Sequence, residues 1–249
     1  SPQNLPDEFE GREVSSRLQK AWHVVGGFEW DMTKNSDVIV EGYYKDFYQL
    51  SNINRDKIFE DNSTNIDQPD HLKKDFIWEE GEAYGFDIRY KYENQRLYLW
   101  AVYSLTYVTR NDGVREYVPH FDRRHNVNLV GSYHFGKKKD WEFNARWNIG
   151  SGFPFTQTQS FYESLSLQSI DADYTNANGE IGIIYSDLNS GRLPWFHRLD
   201  LSLQKNFKLS KNAKMSVVLS CINVYNRANI FYFDRINHTR VDQLPILPS

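Results

Sequence analysis

The sequence has little cysteine, no long apolar run and no excess of positive charge, and each absence excludes a class of protein. Cys221 is the only cysteine, which excludes an internal disulfide and a metal site built from several cysteines. No stretch approaches the about 18 consecutive apolar residues that a transmembrane helix needs. The net charge is −4, so the chain lacks the basic field that is typical of nucleic-acid-binding proteins.

Aromatic residues are abundant, since they make up 16% of the 249 residues. Amphipathic rings are favoured at both interfaces of a membrane, so aromatic girdles would explain this excess. The mean hydropathy of −0.67 does not argue against a membrane location. Membrane-spanning β-strands alternate between apolar and polar residues, and their average is therefore polar.

Residues 141–150 show this alternation most clearly. The apolar set comprises Trp141, Phe143, Ala145, Trp147 and Ile149, and the polar set comprises Glu142, Asn144, Arg146 and Asn148. Successive side chains of a strand point to opposite faces, so a strand here has one apolar and one polar face. A strand of a transmembrane barrel needs this pattern over about 9–11 residues, with lipid outside and a wet lumen inside.

The same pattern recurs along the chain. It is clear in residues 84–92, 97–107, 125–135 and 198–207, and noisier in 20–30 and 37–47. In residues 213–225 the pattern does not assign the faces, because Val217, Val218, Leu219 and Ile222 place apolar side chains on both. The sequence therefore predicts an all-β protein with about eight long strands.

The predicted connections between these strands alternate in length. Short polar turns are predicted at 31–36, 93–96, 136–140 and 208–212, and long connections at 50–80, 109–123, 153–195 and 226–249. Outer-membrane barrels have short periplasmic turns and long extracellular loops, so we expect the long connections on the cell surface. With that orientation the chain starts and ends outside, whereas bacterial barrels usually have both ends in the periplasm. We therefore expect residues 1–249 to be the C-terminal segment of one larger transmembrane antiparallel β-barrel, without a plug domain and without the last strand.

Two other all-β architectures would also produce the alternation of apolar and polar residues. A soluble β-sandwich shows the same period, although its strands are usually shorter. A stand-alone barrel of eight strands would close into a ring, whereas a segment of a larger barrel would form an open arc.

Five segments resemble the C-terminal barrel region of TonB-dependent outer-membrane receptors. They are 81–87 (GEAYGFD), 119–128 (PHFDRRHNVN), 147–155 (WNIGSGFPF), 193–201 (LPWFHRLDL) and 223–229 (NVYNRAN). The resemblance is greatest to the branch that carries a carboxypeptidase-regulatory-like N-terminal domain.

The resemblance implies a 22-stranded barrel in the cell outer membrane of a Gram-negative bacterium. It implies a receptor or transporter that takes up a small-molecule, glycan or peptide ligand with energy from the TonB system. The expected partners are outer-membrane lipid, the rest of the barrel and its plug. An alternative is a receptor-like barrel that serves as a structural or docking subunit of an outer-membrane complex, with a surface lipoprotein over its mouth.

The sequence does not predict an enzyme, a cofactor or a nucleic-acid partner, and it assigns no catalytic, metal-binding or ligand-binding residue. No nucleophile elbow, helical zinc motif or phosphate-binding loop is present. His120, Asp122 and His125 are not interpreted as metal ligands, because in a strand His125 would face away from positions 120 and 122. They are interpreted as a polar cluster at the extracellular rim that anchors a loop by hydrogen bonds and ion pairs. Arg198 and Asp200 are expected to face the lumen and to pair there or contact a plug.

Three loop regions carry further expectations. The acidic region 46–82 is expected to be a solvated loop, and the run Lys137–Lys139 a solvated turn. The long connection 153–195 is a candidate ligand contact, because it carries many amide and aromatic side chains. Its aromatic residues are Phe153, Phe155, Phe161, Tyr162, Tyr174 and Tyr185.

Overall fold

The computed structural model describes residues 8–9, 12–13, 19–164, 180–210, 213–234, 239–243 and 247–248. Strands β1 to β18 are, in chain order, Glu8–Phe9, Arg12–Glu13, Lys20–Thr33, Ser36–Ile53, Phe76–Glu93, Leu97–Asn111, Glu116–Tyr117, His125–Phe135, Trp141–Gly150, Pro154–Phe155, Thr158–Ser164, Glu180–Tyr185, Gly191–Arg192, Phe196–Lys208, Lys214–Ile222, Ile230–Asp234, Thr239–Asp242 and Leu247–Pro248. A 3-10 helix covers Ser63–Asn65, and the short helix α1 covers Asp70–Lys73.

Eight long strands form one antiparallel sheet. Their order is β3-β4-β5-β6-β8-β9-β14-β15, so each long strand pairs with the next one along the chain. The two-residue strands β7 and β18 pair with β6 and β15 at its margins. The eight strands are 9 to 18 residues long, well above the about 5–6 residues of an average globular strand. The predicted all-β fold with eight long strands is confirmed.

The connections separate the sheet into a short-turn end and a loop end. Residues 34–35, 94–96, 136–140 and 209–213 join strands at the short-turn end. Residues 54–75, 112–124 and 151–195 connect strands at the loop end. The predicted limits of the first long connection were wrong, because β4 continues to Ile53 and β5 already begins at Phe76. A β-bulge between Phe47 and Leu50 keeps these extensions paired.

The long connections contain small hairpins of their own. Strands β10 and β13 pair in the connection between β9 and β14, and so do β11 and β12. Strands β16 and β17 form a similar hairpin after β15.

The sheet is a single open layer. Contacts between its elements run between neighbouring strands, and no second sheet of the described residues covers either face. Within the described part, β3 pairs with β4 alone, so the eight strands do not close into a ring. Among the described residues the buried ones are mainly polar, and the buried apolar residues include Leu50, Ala83, Tyr117 and Ile230. Neither a two-layer sandwich nor a closed eight-stranded barrel describes this arrangement. In the part of the chain that the structure describes, no helix has the length and apolar character to cross a membrane.

A close contact across β4, β5 and β6 requires the glycine at position 85. The Tyr43 hydroxyl and the Thr106 Oγ1 atom are 2.7 Å apart, and Gly85 lies opposite both residues in the sheet. A Cβ atom at Gly85 would lie 2.1 Å from the Leu105 carbonyl oxygen and 2.9 Å from the Tyr43 hydroxyl. By contrast, a Cβ atom at Gly26 would meet nothing within 4 Å.

We predict that Gly85→Ala destabilises the protein by about 1–3 kcal/mol, because the backbone must move to admit the methyl group. Gly26→Ala, the matched control, should change stability by less than about 0.5 kcal/mol. Urea unfolding of the two variants measures the difference. Equal stabilities would contradict the close packing of Tyr43 over Gly85.

Candidate functional site

The most extended feature of the structure is a continuous apolar face across the eight long strands. In β9, Trp147 lies opposite Leu129 of β8 and Leu199 of β14, and Ala145 lies opposite Gly131 and Leu201. The same register connects the predicted faces of β5 and β6, where Ile88 lies opposite Tyr103. Residues directly opposite share a face, so every apolar set predicted for these strands lies on one side of the sheet.

The structure also assigns the faces of β15, which the sequence left open. Leu219 lies opposite Leu203, and Val217 lies opposite Lys205, so both belong to the apolar face. Val218 lies opposite Gln204 and belongs to the polar face. Strand register decides the assignment here, because local alternation is absent.

Aromatic rings border the apolar face at both ends of the strands. In β5, Tyr84 and Phe86 lie towards the loop end and Tyr90 and Tyr92 towards the short-turn end, with Ile88 between them. Pairs of rings stack across strands at each border: the centroids of Tyr84 and Tyr107 are 5.3 Å apart, and those of Phe135 and Trp141 are 5.9 Å apart. The centre of the face carries small and aliphatic side chains such as Ala145, Gly131 and Leu201.

The part of the chain that the structure describes leaves this face uncovered. Phe28 is 60% exposed and Leu219 is 69% exposed. An apolar patch that spans eight strands is far larger than the patches that soluble monomers usually expose.

The opposite face carries hydrogen-bonded polar side chains. Arg89 of β5 contacts Asp37 of β4 at 2.9 Å, and Asn148 of β9 donates to Asn128 of β8. Arg198 and Asp200 pair at 3.0 Å on this face, which is the first of the two roles expected for them from the sequence. Asp200 also accepts a hydrogen bond of 2.9 Å from the backbone N–H of Asn223 and so holds the chain where it leaves β15.

At the loop end, a buried carboxylate organises the connections that follow β4 and β6. The side chain of Glu79 is fully buried and accepts hydrogen bonds from Asn52 at 2.9 Å and from the Tyr117 hydroxyl at 2.7 Å. Arg110 lies 3.4 Å from its second oxygen, and Arg55 lies 4.0 Å from its first. Burial raises the pKa of the Tyr117 hydroxyl, and the Glu79 carboxylate adds to the rise, so Tyr117 remains a donor.

The prediction of a solvated acidic loop was therefore wrong at Glu79. The residue lies in β5, and the β-bulge in β4 brings Leu50 rather than a solvated residue opposite it. Contacts with Arg55 and Arg110 come from 24 and 31 positions away in the chain, so local sequence carries no signal for them.

A second buried carboxylate, Asp122, forms an ion pair with Arg192 across the loop end. The chain turns at this point, as expected for the long connection 109–123, and Asp122 donates its backbone N–H to the Pro119 carbonyl at 3.0 Å. His125 begins β8, where its Nδ1 atom lies 2.9 Å from the Tyr103 hydroxyl. The described residues contain no group of three or more His, Cys, Asp or Glu side chains that could hold a metal ion.

Asparagines in the C-terminal segments lock the chain after β15, and sequence reasoning did not assign them. The Asn229 side chain accepts from the His197 backbone N–H at 3.1 Å and donates to the His197 carbonyl at 3.0 Å. Asn223 and Asn226 have positive φ values of 56° and 50°. Asparagine tolerates this conformation better than most residues. The closely spaced Asn223 and Asn226 were therefore the sequence feature that could have predicted a turn here.

Some aromatic side chains of the long connections pack against other residues, and others are exposed. The Arg123 guanidinium stacks 4.3 Å from the Phe153 ring, and the Phe155 and Phe233 centroids are 5.6 Å apart. Tyr162 and Tyr185 are exposed on the β11–β12 hairpin. Tyr174 lies outside the described residues, so the predicted ligand contact of 153–195 stays a prediction.

Comparisons with known proteins support this fold. No protein-family model matches the chain, and no curated protein matches it. Among solved structures, the chain is similar to the ferripyoverdine receptor of the outer membrane of Pseudomonas aeruginosa bound to ferripyoverdine, with a TM-score of 0.56 and 10% identity. It is also similar to a chain of the FpvAI–pyocin S2 complex, with a TM-score of 0.55 and 12% identity.

Both alignments cover 93% of this chain and 27% of the other, so the chain spans about a quarter of the length of these neighbours. At this identity the likeness shows the fold: an all-β sheet that matches part of a TonB-dependent receptor barrel. The relation to the carboxypeptidase-regulatory branch stays a prediction.

We predict that Glu79→Ala destabilises the loop end by about 3–5 kcal/mol, because it leaves Arg110 and Tyr117 without their buried acceptor. Limited proteolysis of residues 54–75 and 112–117 should become faster, and the urea midpoint should fall. Glu80→Ala, which changes the exposed neighbouring residue, serves as the control. Similar cleavage rates in both variants would contradict the anchoring role of Glu79.

Proposed function

We propose that this chain is the C-terminal part of the barrel of a TonB-dependent outer-membrane receptor, and that the whole protein takes up a ligand across that membrane. The observation that carries the proposal is the uncovered apolar face of eight strands, bordered by aromatic rings at both ends. The hydrocarbon core of the membrane covers this face, and the aromatic rings at its borders lie at the two membrane interfaces.

The two edges of the sheet support a larger barrel. In the described residues, β3 uses one edge only, and β15 pairs beyond β14 only with the two residues of β18. Unpaired backbone groups are costly in lipid, so spanning sheets must close. Further strands of the same protein supply this closure, and its lumen holds a plug domain.

The two ends of the strands suggest the orientation. Short turns are periplasmic and long connections extracellular in outer-membrane barrels, so the loop end faces the outside. The apolar face then contacts lipid, and the polar face with Arg89, Asp37, Arg198 and Asp200 faces the lumen and the plug. The Glu79 and Asp122 networks stand at the extracellular rim, where they fix the bases of loops.

The ligand class is proposed from the loop end and the structural neighbours. One neighbour binds ferripyoverdine and the other binds pyocin S2, so receptors with this fold contact small molecules as well as proteins. In this chain the connection 153–195 offers exposed aromatic side chains on its hairpin. Deletion of 160–185 in the complete protein should weaken ligand binding, whereas unchanged binding would remove this segment from the site.

A second candidate function is a docking subunit beneath a surface lipoprotein. The observation in its favour is that Ile58, Ile66 and Val114 are 73%, 70% and 72% exposed on the long connections. If a lipoprotein covers them, Ile58→Asp with Ile66→Asp should release it from the purified complex. Uptake that is independent of TonB would favour the docking function over transport.

Growth of a deletion strain tests the receptor function. Loss of the complete gene should abolish growth on one scarce iron or carbon source, and loss of TonB should give the same defect. Complementation with the intact gene is the control. Normal growth of the deletion strain on each defined source would contradict ligand uptake.

The direction of the faces gives a sharper prediction. Ala145→Arg should cost about 2–4 kcal/mol, because it places a cation near the middle of the lipid-facing band. Asn144→Arg, one residue away on the polar face, should be tolerated. Assembly into the outer membrane, followed as heat-modifiable migration in gels, should fail for the first variant only. Equal assembly would contradict the assignment of the faces.

A further inference from the structure

A groove of about 480 Å³ lies on the apolar face of the sheet at the loop end. It is lined by Trp147 of β9, by His197 and Leu199 of β14, and by Tyr225. Trp147 lies directly opposite Leu199, and His197 lies opposite Ile149, so the lining residues of both strands belong to the apolar face. The groove is therefore part of the loop-end border of the apolar band.

A hydrogen-bonded tyrosine closes this groove on the side of β15. Just after β15, the Val224 backbone N–H donates to the Leu199 carbonyl at 2.8 Å, which holds the chain beside β14. The Tyr225 hydroxyl lies 2.7 Å from the His197 Nδ1 atom and accepts a hydrogen bond of 3.2 Å from Trp147 Nε1. Because the polar tips of the three rings bond to one another, the surface that the groove presents is almost entirely apolar.

Further rings continue this border towards β8 and β6. Trp195, two residues before His197, stacks on His125 of β8 with ring centroids 5.7 Å apart. The Tyr103 hydroxyl of β6 lies 2.9 Å from the His125 Nδ1 atom. Rings with an apolar body and a polar tip are favoured where hydrocarbon meets lipid headgroups. The groove therefore lies where the acyl chains of a lipid join its headgroup.

Two arginines without acidic partners lie at the same border. Arg227 donates from Nη2 to the Trp195 carbonyl at 3.0 Å. The Arg124 guanidinium lies 4.3 Å from the centroid of the Tyr107 ring, which shares the apolar face with Tyr84 directly opposite. No described carboxylate forms an ion pair with either arginine, and the Nε atom of each is buried without a hydrogen-bond partner in the described part of the chain. Guanidinium groups without a carboxylate suit phosphate, which accepts two parallel hydrogen bonds.

We propose that the groove binds an acyl chain of lipid A, the phosphorylated and multiply acylated glycolipid of the outer leaflet, and that Arg227 and Arg124 contact its phosphates. The inference rests on the proposed function, because that function places the loop end at the outer leaflet. The border from β6 to β14 covers three strand spacings, or about 14 Å. A lipid with several acyl chains and two phosphates matches this width, whereas a phospholipid with two chains and one phosphate covers only part of it.

Native mass spectrometry of the complete, delipidated protein tests this proposal. Bisphosphorylated lipid A, monophosphorylated lipid A with the same acyl chains, and phosphatidylglycerol are the probes. We expect the tightest binding for bisphosphorylated lipid A, and a loss of about fivefold in Arg227→Gln, since one cationic side chain near an anionic lipid contributes about that factor. Trp147→Ala should weaken the binding of both forms of lipid A, because it removes one wall of the groove.

The matched controls lie on the same strand as Trp147. Arg146→Gln removes a charge one residue away on the polar face, and Trp141→Ala removes the same ring at the short-turn end of the apolar face. Both should bind lipid A as the unaltered protein does. If Trp147→Ala does not assemble, Arg227→Gln against Arg146→Gln decides the matter.

Equal affinity in Arg227→Gln and Arg146→Gln would overturn the proposal, and so would phosphatidylglycerol that binds the unaltered protein as tightly as lipid A. A protein that does not enter bilayers at all would contradict the proposed function. A protein that enters bilayers without selecting lipid A would contradict this inference alone.

Discussion

Strand register is the constraint on which the rest of this structure depends. The period of a strand is two residues, so a shift of one residue in any of the seven pairings would turn one strand's apolar side chains to the polar face. The observed register avoids this from β3 to β15: Phe28 lies opposite Val40, Ile88 opposite Tyr103, and Leu203 opposite Leu219. One face of the sheet is therefore apolar across all eight strands, and the polar side chains lie on the other face. A single-layer sheet has no packed core that would otherwise specify its pairing.

Most of the sheet could be predicted from sequence because the alternation is local. The limits of β8 and β9 match the predicted 125–135 and 141–150, and their faces were assigned correctly. Residues 213–225 could not be assigned, because the choice between Val217 and Val218 depends on their partners in β14. The end of β4 was also missed, since a β-bulge and the distant Arg110 and Glu79 decide where pairing continues.

The two ends of the strands differ physically. At the loop end, carboxylates are buried and paired: Glu79 with Arg110 and Tyr117, and Asp122 with Arg192. Such networks hold the bases of long connections in place, so that exposed side chains farther along them can present a surface to a ligand. At the short-turn end the ion pairs are more exposed, as in the pair of Lys205 with Asp140.

The two-faced sheet is the basis of the proposed receptor, and a spin-label scan of β9 tests it most directly. With Cys221 replaced by serine, a single cysteine is placed at each position from 141 to 149 of the complete protein in bilayers, and its label is exposed to dissolved oxygen and to a water-soluble nickel complex. The odd positions should show high oxygen and low nickel accessibility, and the even positions should show the opposite, with a period of two. High nickel accessibility at positions 143, 145 and 147 would contradict a lipid-facing sheet.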